Sequence, residues 1–521
     1  MLPFQLDISA LRPIDDPWGP TSKTPASLTF NGVPYAPFIK SDKLGKIADW
    51  QSVKEEESSI VNNQQKKRDQ YHAYGASAAK MFGAEAEDKG FSVVETSFVS
   101  SYNKQAVLKS SRKQTQTSNQ TAVKKPTATV TKKAVAPKPA KWGSNNKWGN
   151  SRWNTEELKP QKSSIAIDEK WTTVSEIEFN RLTKLNLESP QPELLSSAGK
   201  IHQYVKKYEQ PTTVPLEPTV AITVHQTSSK DPNFKSMAQN GKGKVFITDE
   251  ILSQLMCAPK SSVSWDVIIS KKDGNIFFDK RNDTFDLPLN ENSPGQELKE
   301  TDINHDSLVK LEAQQVIDDY ISGCLGPNAK EFPGKNPIPD MSAIQKGYKY
   351  SKYQLLNGDN DESSTEVIVR STVDAYTFTV SSTVAIRALF QFESNDWKSK
   401  LQGGSQGNVI SDEIKKNNNK ISQWTTQAVL AGSKSIKIGF ICRDNLKLTN
   451  KHSVVGTMTF GTDMLCQQLN VSLNNGWGIV KSLIDIIEHV GGDQDYRFVI
   501  VKSPNVMKIV IYRVPIEAFE F

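Results

Sequence analysis

Asp412-Glu413-Ile414-Lys415 sets two carboxylates and an ammonium on the edge of a short element, the E-x-K spacing used by metal-dependent nucleases. Phosphodiester hydrolysis by paired metals needs several convergent carboxylates. Only Glu366, on a candidate central strand, joins this group as a further candidate, so no catalytic cluster is legible. Asp359, Asp361 and Glu362 in NGDNDES read as a solvated acidic turn, with a divalent-cation site as the sharper alternative. The glycine- and lysine-rich run QNGKGK at 239–244 lacks the GxxxxGK[ST] spacing of a phosphate loop, and no GxGxxG, HExxH or GxSxG occurs. His72, His202, His225, His305, His452 and His489 show no metal-ligand spacing. Cys257, Cys324, Cys442 and Cys466 are far apart and form no CxxC pair, which favours buried free thiols in a reducing compartment over a disulfide framework or a zinc site. Neither a cofactor nor a metal is expected.

The elements that would position such residues begin near residue 163. Residues 245–247 form a predicted strand, and Thr248 caps a helix that opens with Asp249-Glu250, where acids suit the helix dipole. Residues 263–270 alternate as a strand, and Asp273-Gly274 turns the chain into a partner strand at 276–279. A helix is predicted over 303–322, with Val309, Ala313, Val316, Ile317, Tyr320 and Ile321 on one face and Gly323 ending it. Further strands are predicted at 348–355, 366–370, 383–392, 435–442 and 453–460. Residues 420–431 and 476–490 read as helices, and 498–502 with 507–513 as a last hairpin. Helices and strands mix without strict alternation, so the expected fold class is α+β with one large mixed-sheet domain.

The N-terminal third reads differently. The 521-residue chain carries net charge +6, but residues 101–155 hold twelve Lys and Arg and no acid, leaving −6 for the remainder. That segment contains only five aliphatic residues beyond alanine, too few to offset an ordering cost of roughly 1–2 kcal/mol per residue. It is expected to be a disordered basic linker (101–162). Its Lys141-Trp142, Lys147-Trp148 and Arg152-Trp153 pairs suit loose contact with phosphates and bases. Residues 1–100 contain DPWGP and PYAPFIKSDKLGKIADW. Their isolated aromatics suit an extended segment docked on another protein, with Trp18, Tyr35, Phe38 and Trp50 as anchors. No run of about 18 apolar residues is present, and the N-terminus reads as no secretory signal, so no membrane contact is expected.

Specific strings carry a resemblance. DPWGP, PYAPFIKSDKLGKIADW, GKVFITDEILSQLM, SWDVIISKKDGNIFFDKR, TDINH, DWKSKL, QWTTQAVLAGSKSIKIGF and NVSLNNGWGIVKSLIDI resemble, in order, the d-subunit family of eukaryotic translation initiation factor 3. The resemblance spans nearly all of the chain outside roughly 52–162. It implies a cytoplasmic protein that is not an enzyme, with a cap-binding domain at 163–521 whose fold is similar to that of the decapping exonucleases. It implies other factor subunits (e, a and c), the 40S ribosomal subunit and the 7-methylguanosine cap of selected mRNAs as partners. The family's cap contacts fall here on Asp249, Ser262 and Val263, and on Thr301, Asn304 and His305, which helical spacing would set on one face. A pocket-covering RNA gate corresponds to the segment Thr284, Phe285, Asp286, Leu287, Pro288, Leu289, Asn290, Glu291, Asn292, Ser293 and Pro294. The competing readings are a hydrolase on the related fold and a scaffold that contacts RNA without reading the cap.

Overall fold

The computed structural model describes residues 29–30, 33–35, 163–210, 212–281, 302–340, 342–357, 360–379, 382–394, 396–504 and 506–519. Trp18, Phe38, Trp50, the 101–155 tail, residues 284–294 and Thr301 lie outside them. All described residues fall in one compact unit.

Strands β1 (Thr29–Phe30) and β2 (Val33–Pro34) form a small antiparallel pair. The domain proper opens with β3 (Thr172–Glu178), helix α1 (Phe179–Leu182), β4 (Glu193–Tyr204), β5 (Val214–Pro215) and α2 (Pro232–Gln239). It continues through β6 (Val245–Thr248), α3 (Asp249–Met256), β7 (Trp265–Lys272), β8 (Asn275–Asp279), α4 (Asp306–Gly323) and β9 (Leu325–Glu331). Next come β10 (Gly347–Asn357), β11 (Asn360–Val373), β12 (Ala375–Tyr376), β13 (Thr383–Gln391), α5 (Asp396–Gln402), α6 (Gln406–Lys416) and α7 (Asn418–Leu430). The last elements are β14 (Ser435–Arg443), β15 (His452–Gly461), α8 (Thr462–Gln468), α9 (Leu473–Gly491), β16 (Tyr496–Lys502) and β17 (Lys508–Val514).

Among the described residues, fifteen strands join in one mixed sheet in the order β3-β17-β16-β7-β8-β6-β11-β10-β4-β12-β13-β14-β15-β5, with β9 also on β4. This is the expected α+β, mixed-sheet class. Strand β4 links the two halves: its first part pairs with β10, and beyond Gly199 it pairs with β9 and β12. Gly199 sits at φ +79°, and a Cβ there would lie 2.4 Å from the Lys346 carbonyl, so the change of partner requires glycine. Asp273 and Gly274, with φ of 51° and 80°, make the expected tight turn between β7 and β8. Strand β7 is the expected strand, alternating between two faces that are both covered. Val267 and Ile269 face the main core while Ile268 faces a second cluster, so both of its sides are buried.

The main core packs α3 and α9 on the β6–β11 and β16–β17 half of the sheet, through Ile251, Leu255, Trp477, Leu483, Ile500 and Ile511 among others. Helix α9 starts where Ser472 accepts a hydrogen bond from the Asn475 N–H at 3.2 Å and ends at Gly492 with φ +66°. A second core unites α5, α6, α7 and α8 with β13–β15. A third seats α4 on β13 through Val316, Tyr320, Val384 and Ile386. There Tyr320 stacks on Tyr208 at 5.5 Å between ring centres.

The β1–β2 pair belongs to the main core. Val33 is fully buried in it, and the Asn186 N–H donates to the Pro34 carbonyl at 3.0 Å. Tyr35, read from sequence as an anchor for another protein, bridges to Leu185 and packs half-buried against this chain's own core. The guanidinium of Arg181 lies 5.3 Å from the centre of the Phe30 ring.

Candidate functional site

Residues 302–305, DINH, form a turn, not the first turn of a helix. Asp302 has the short acceptor side chain that folds its own backbone two residues on. Its Oδ1 accepts the Asn304 N–H at 2.8 Å, and its carbonyl accepts the His305 N–H at 2.9 Å. Helix α4 begins only at Asp306, with His305 at the N-cap position and in extended conformation. Asn304 and His305 therefore precede the helix and do not share a helical face. His305 Nδ1 lies 2.8 Å from Ser307 Oγ, and the His305 carbonyl accepts the N–H groups of Leu308 and Val309.

A buried arginine holds this turn. Arg443 ends the apolar strand β14 and is fully buried. Its Nε and Nη2 grip both oxygens of Glu312 at 2.8 and 2.5 Å, a two-pronged charge-assisted pair. Its Nη1 donates to Asn304 Oδ1 at 2.7 Å. His452 Nε2 approaches Glu312 Oε1 from β15 at 2.8 Å. Burial pushes the Glu312 carboxyl up, but the hydrogen bonds and charges of Arg443 and His452 outweigh it and hold the group below its ordinary range. Beside this junction lies a hollow of about 410 Å³, walled by Pro218, Ile303 and Leu308 and floored by Glu312, Asp319 and His452.

Asp249 lies in a different network. As the first residue of α3 it is 2% exposed, and its Oδ2 accepts the Thr372 N–H at 2.7 Å. Burial first, then the neighbouring Glu250 charge, push its carboxyl up to about 7. Burial also raises Glu250, but His225, whose Nδ1 sits 2.8 Å away, together with Arg370 and Lys346, outweighs it and holds the group at about 2. Close by, Arg387 donates to Asp374 Oδ2 at 2.5 Å and to Gln427 Oε1 at 3.1 Å. Thr248 occupies the N-cap position of α3, yet its hydroxyl makes no cap bond and has no partner. Arg387 pairs with Ile438 on β14, five residues before Arg443. At about 3.3 Å per residue the two networks sit roughly 16 Å apart along that strand.

Ser262 and Val263 lie half-buried between α3 and β7. The Ser262 carbonyl accepts Lys502 Nζ at 2.8 Å, and the Val263 carbonyl accepts the Ser261 hydroxyl at 3.1 Å. Both backbone oxygens are thus engaged within the domain.

The carboxylates considered for hydrolysis have separate partners. Glu413 is buried on α6 and accepts Asn417 Nδ2 at 2.9 Å, while Glu366 on β11 pairs with Lys352. Asp361 and Glu362 belong to strand β11, not to a turn, and Asp359 lies outside the described residues. Among the described residues, no group of three or more His, Cys, Asp or Glu is placed to hold a metal ion, and no helix is long and apolar enough to cross a membrane.

Arg443, Glu312 and Asp302 are the residues sequence reasoning missed. One signal was available, since an arginine closes IGFICR (438–443), which is free of charge up to that residue. Buried arginine demands a carboxylate, but nothing in the sequence says which one.

The chain as a whole is similar to known proteins. The family described as "Eukaryotic translation initiation factor 3 subunit 7 (eIF-3)" matches residues 7–513. A Yarrowia lipolytica protein, named as the D subunit of eukaryotic translation initiation factor 3, is 32% identical over 98% of this chain and 99% of its own length. Its namesakes in Neosartorya fischeri and Coccidioides immitis are each 32% identical over 100% of this chain and cover 97% and 96% of their own lengths. Among solved structures, Scheffersomyces stipitis Rai1 in complex with 3′-NADP and calcium aligns with 64% of this chain and 91% of its own, at 10% identity and a TM-score of 0.41. Candida albicans Rai1 in complex with pU5 and manganese aligns over the same 64%, and 93% of its own chain, at 14% identity and a TM-score of 0.41.

Proposed function

Because the chain belongs to the D-subunit family of eukaryotic translation initiation factor 3, we propose that this initiation-factor component binds mRNA and recognises the 7-methylguanosine 5′ cap of selected messages. In doing so it supports initiation on the 40S ribosomal subunit in the cytoplasm, beside subunits e, a and c. It acts by binding and not by hydrolysis.

The observation that carries the cap reading is Asn304, held at the start of α4 by the buried Arg443. A cap presents a cationic methylated base, a ribose and a triphosphate. Asn304 and His305, with Thr301, offer hydrogen-bond partners for the ribose and phosphate oxygens. Asn304 and His305 stand at the N-terminus of an 18-residue helix, where the backbone favours anions. Asp249, Ser262 and Val263 form the second region. Asp249 is committed to Thr372, so its contribution runs through the position of β11 rather than through direct contact. Residues 284–294, joining β8 to this turn, act as the gate over the pocket.

A specific observation favours a second reading, a scaffold that touches RNA through residues 101–155 without reading the cap. It is the burial of Asp249, which removes one of the two proposed contact regions from direct reach. Ultraviolet crosslinking of the full chain to one RNA, bearing either a labelled cap or a labelled 5′ triphosphate, separates the two. Cap recognition gives label transfer from the capped RNA that excess cap analogue abolishes. Equal transfer from both RNAs, insensitive to the analogue, establishes the scaffold.

A further inference from the structure

We propose that Arg443 and Glu312 are positioning residues that fix the orientation of the Asn304 amide, so that this side chain recognises an oxygen acceptor and not a donor on the ligand. The inference rests on the reading that the turn at 302–305 contacts the cap.

An asparagine amide has one accepting end and one donating end. Left free, it rotates and serves either kind of ligand group. Here Oδ1 is taken by Arg443 Nη1 at 2.7 Å. The guanidinium cannot rotate to release it. Its other edge is locked on both oxygens of Glu312, and it donates again to the Leu446 carbonyl at 3.3 Å. Glu312 is in turn fixed by α4, which carries it, and by His452 Nε2 at 2.8 Å. Three elements, α4, β14 and β15, therefore converge on one carboxylate, and the result is transmitted to one amide. With its oxygen turned to the fixed guanidinium, Asn304 is oriented to offer its Nδ2 hydrogens. They match the ribose and phosphate oxygens of a nucleotide and mismatch the donor edge of guanine.

Removing Arg443 alone would strand the buried Glu312 charge and destabilise the fold. The paired change Glu312→Met with Arg443→Met removes both charges while keeping volume. Asn304→Asp complements it, because a carboxylate accepts from Arg443 at least as well but carries no hydrogen to donate. His305→Ala reports on the turn without touching the arginine network.

All are made in the full chain and scored by cap-specific crosslinking, by binding of uncapped RNA and by melting temperature. The inference expects the double methionine variant to lose cap-specific crosslinking roughly tenfold or more, the effect of one hydrogen bond to a charged group, and Asn304→Asp to lose at least as much, because its carboxylate repels phosphate as well as removing the donor. Uncapped binding and the melting of Asn304→Asp stay at wild type. Should the methionine pair fail to fold, Asn304→Asp still decides: undiminished cap-specific crosslinking in that variant overturns the inference. If His305→Ala weakens cap crosslinking while Asn304→Asp does not, the positioning role alone is wrong. If neither variant changes it, the cap reading of the turn fails as well.

Discussion

Asp249 Oδ2 accepts the backbone N–H of Thr372 at 2.7 Å, fastening the first residue of α3 to the end of β11 across 123 positions of sequence. The carboxyl that makes this bond is almost wholly removed from water and titrates at about 7, against an ordinary 3.8. Between those values the folded state binds the proton more tightly than the unfolded one. Stability from this group is therefore full below about 3.8 and is lost as pH rises through about 7. The substitution Asp249→Asn keeps an oxygen to accept from Thr372 and removes the titration. The variant is expected to match wild type near pH 4 and to exceed it at pH 8, by at most about 4 kcal/mol for a shift of this size. Denaturant midpoints of both proteins at the two pH values check this. An advantage that shrinks toward pH 8 contradicts it.

Val33 ties the β1–β2 pair into the main core. Its side chain is fully buried in the main core, worth about 1.5–3 kcal/mol for an aliphatic residue. Val33→Asp adds an unpaired charge to that loss. The variant should unfold at clearly lower denaturant than wild type, although residue 33 lies 130 positions before the domain's first continuous described stretch. An unchanged midpoint would show that the β1–β2 pair contributes nothing to the fold.

Purified full-length protein should neither remove caps nor shorten RNA when given magnesium or manganese. Glu413 is engaged by Asn417 and Glu366 by Lys352, in separate parts of the fold. Product analysis by gel checks this directly. Metal-dependent product that vanishes in Glu413→Gln would reverse the assignment.

The sequence reads well where a single local signal decides the structure. Asp273-Gly274 defines its turn because only residues tolerant of positive φ fit there. The apolar runs of β14 and β16 declare buried strands. It reads poorly where tertiary partners decide. Strand β4, ELLSSAGKIHQY, has no apolar alternation to announce it, yet it joins the two halves of the sheet because its backbone has pairing partners on both sides. Helix α4 starts at Asp306 and not at 303 as the periodicity predicts, because Asp302 first closes a turn of its own. At the candidate site the resemblance points to Asn304, and nothing in the sequence points from it to Arg443. Their contact spans 139 residues and depends on the arrival of β14 beside α4.

The central claim is that the turn before α4 reads the cap, and one measurement tests it most directly. The full-length protein and the variant Asn304→Glu with His305→Ala are crosslinked to capped and uncapped forms of the same RNA, with and without cap analogue. Placing a carboxylate where phosphate or ribose oxygens approach should repel the ligand as well as remove the donor. The account predicts that transfer from capped RNA falls to the uncapped level in the variant, while uncapped binding through residues 101–155 and the melting temperature stay at wild type. Analogue-sensitive, cap-specific crosslinking at the wild-type level in a folded variant would contradict it.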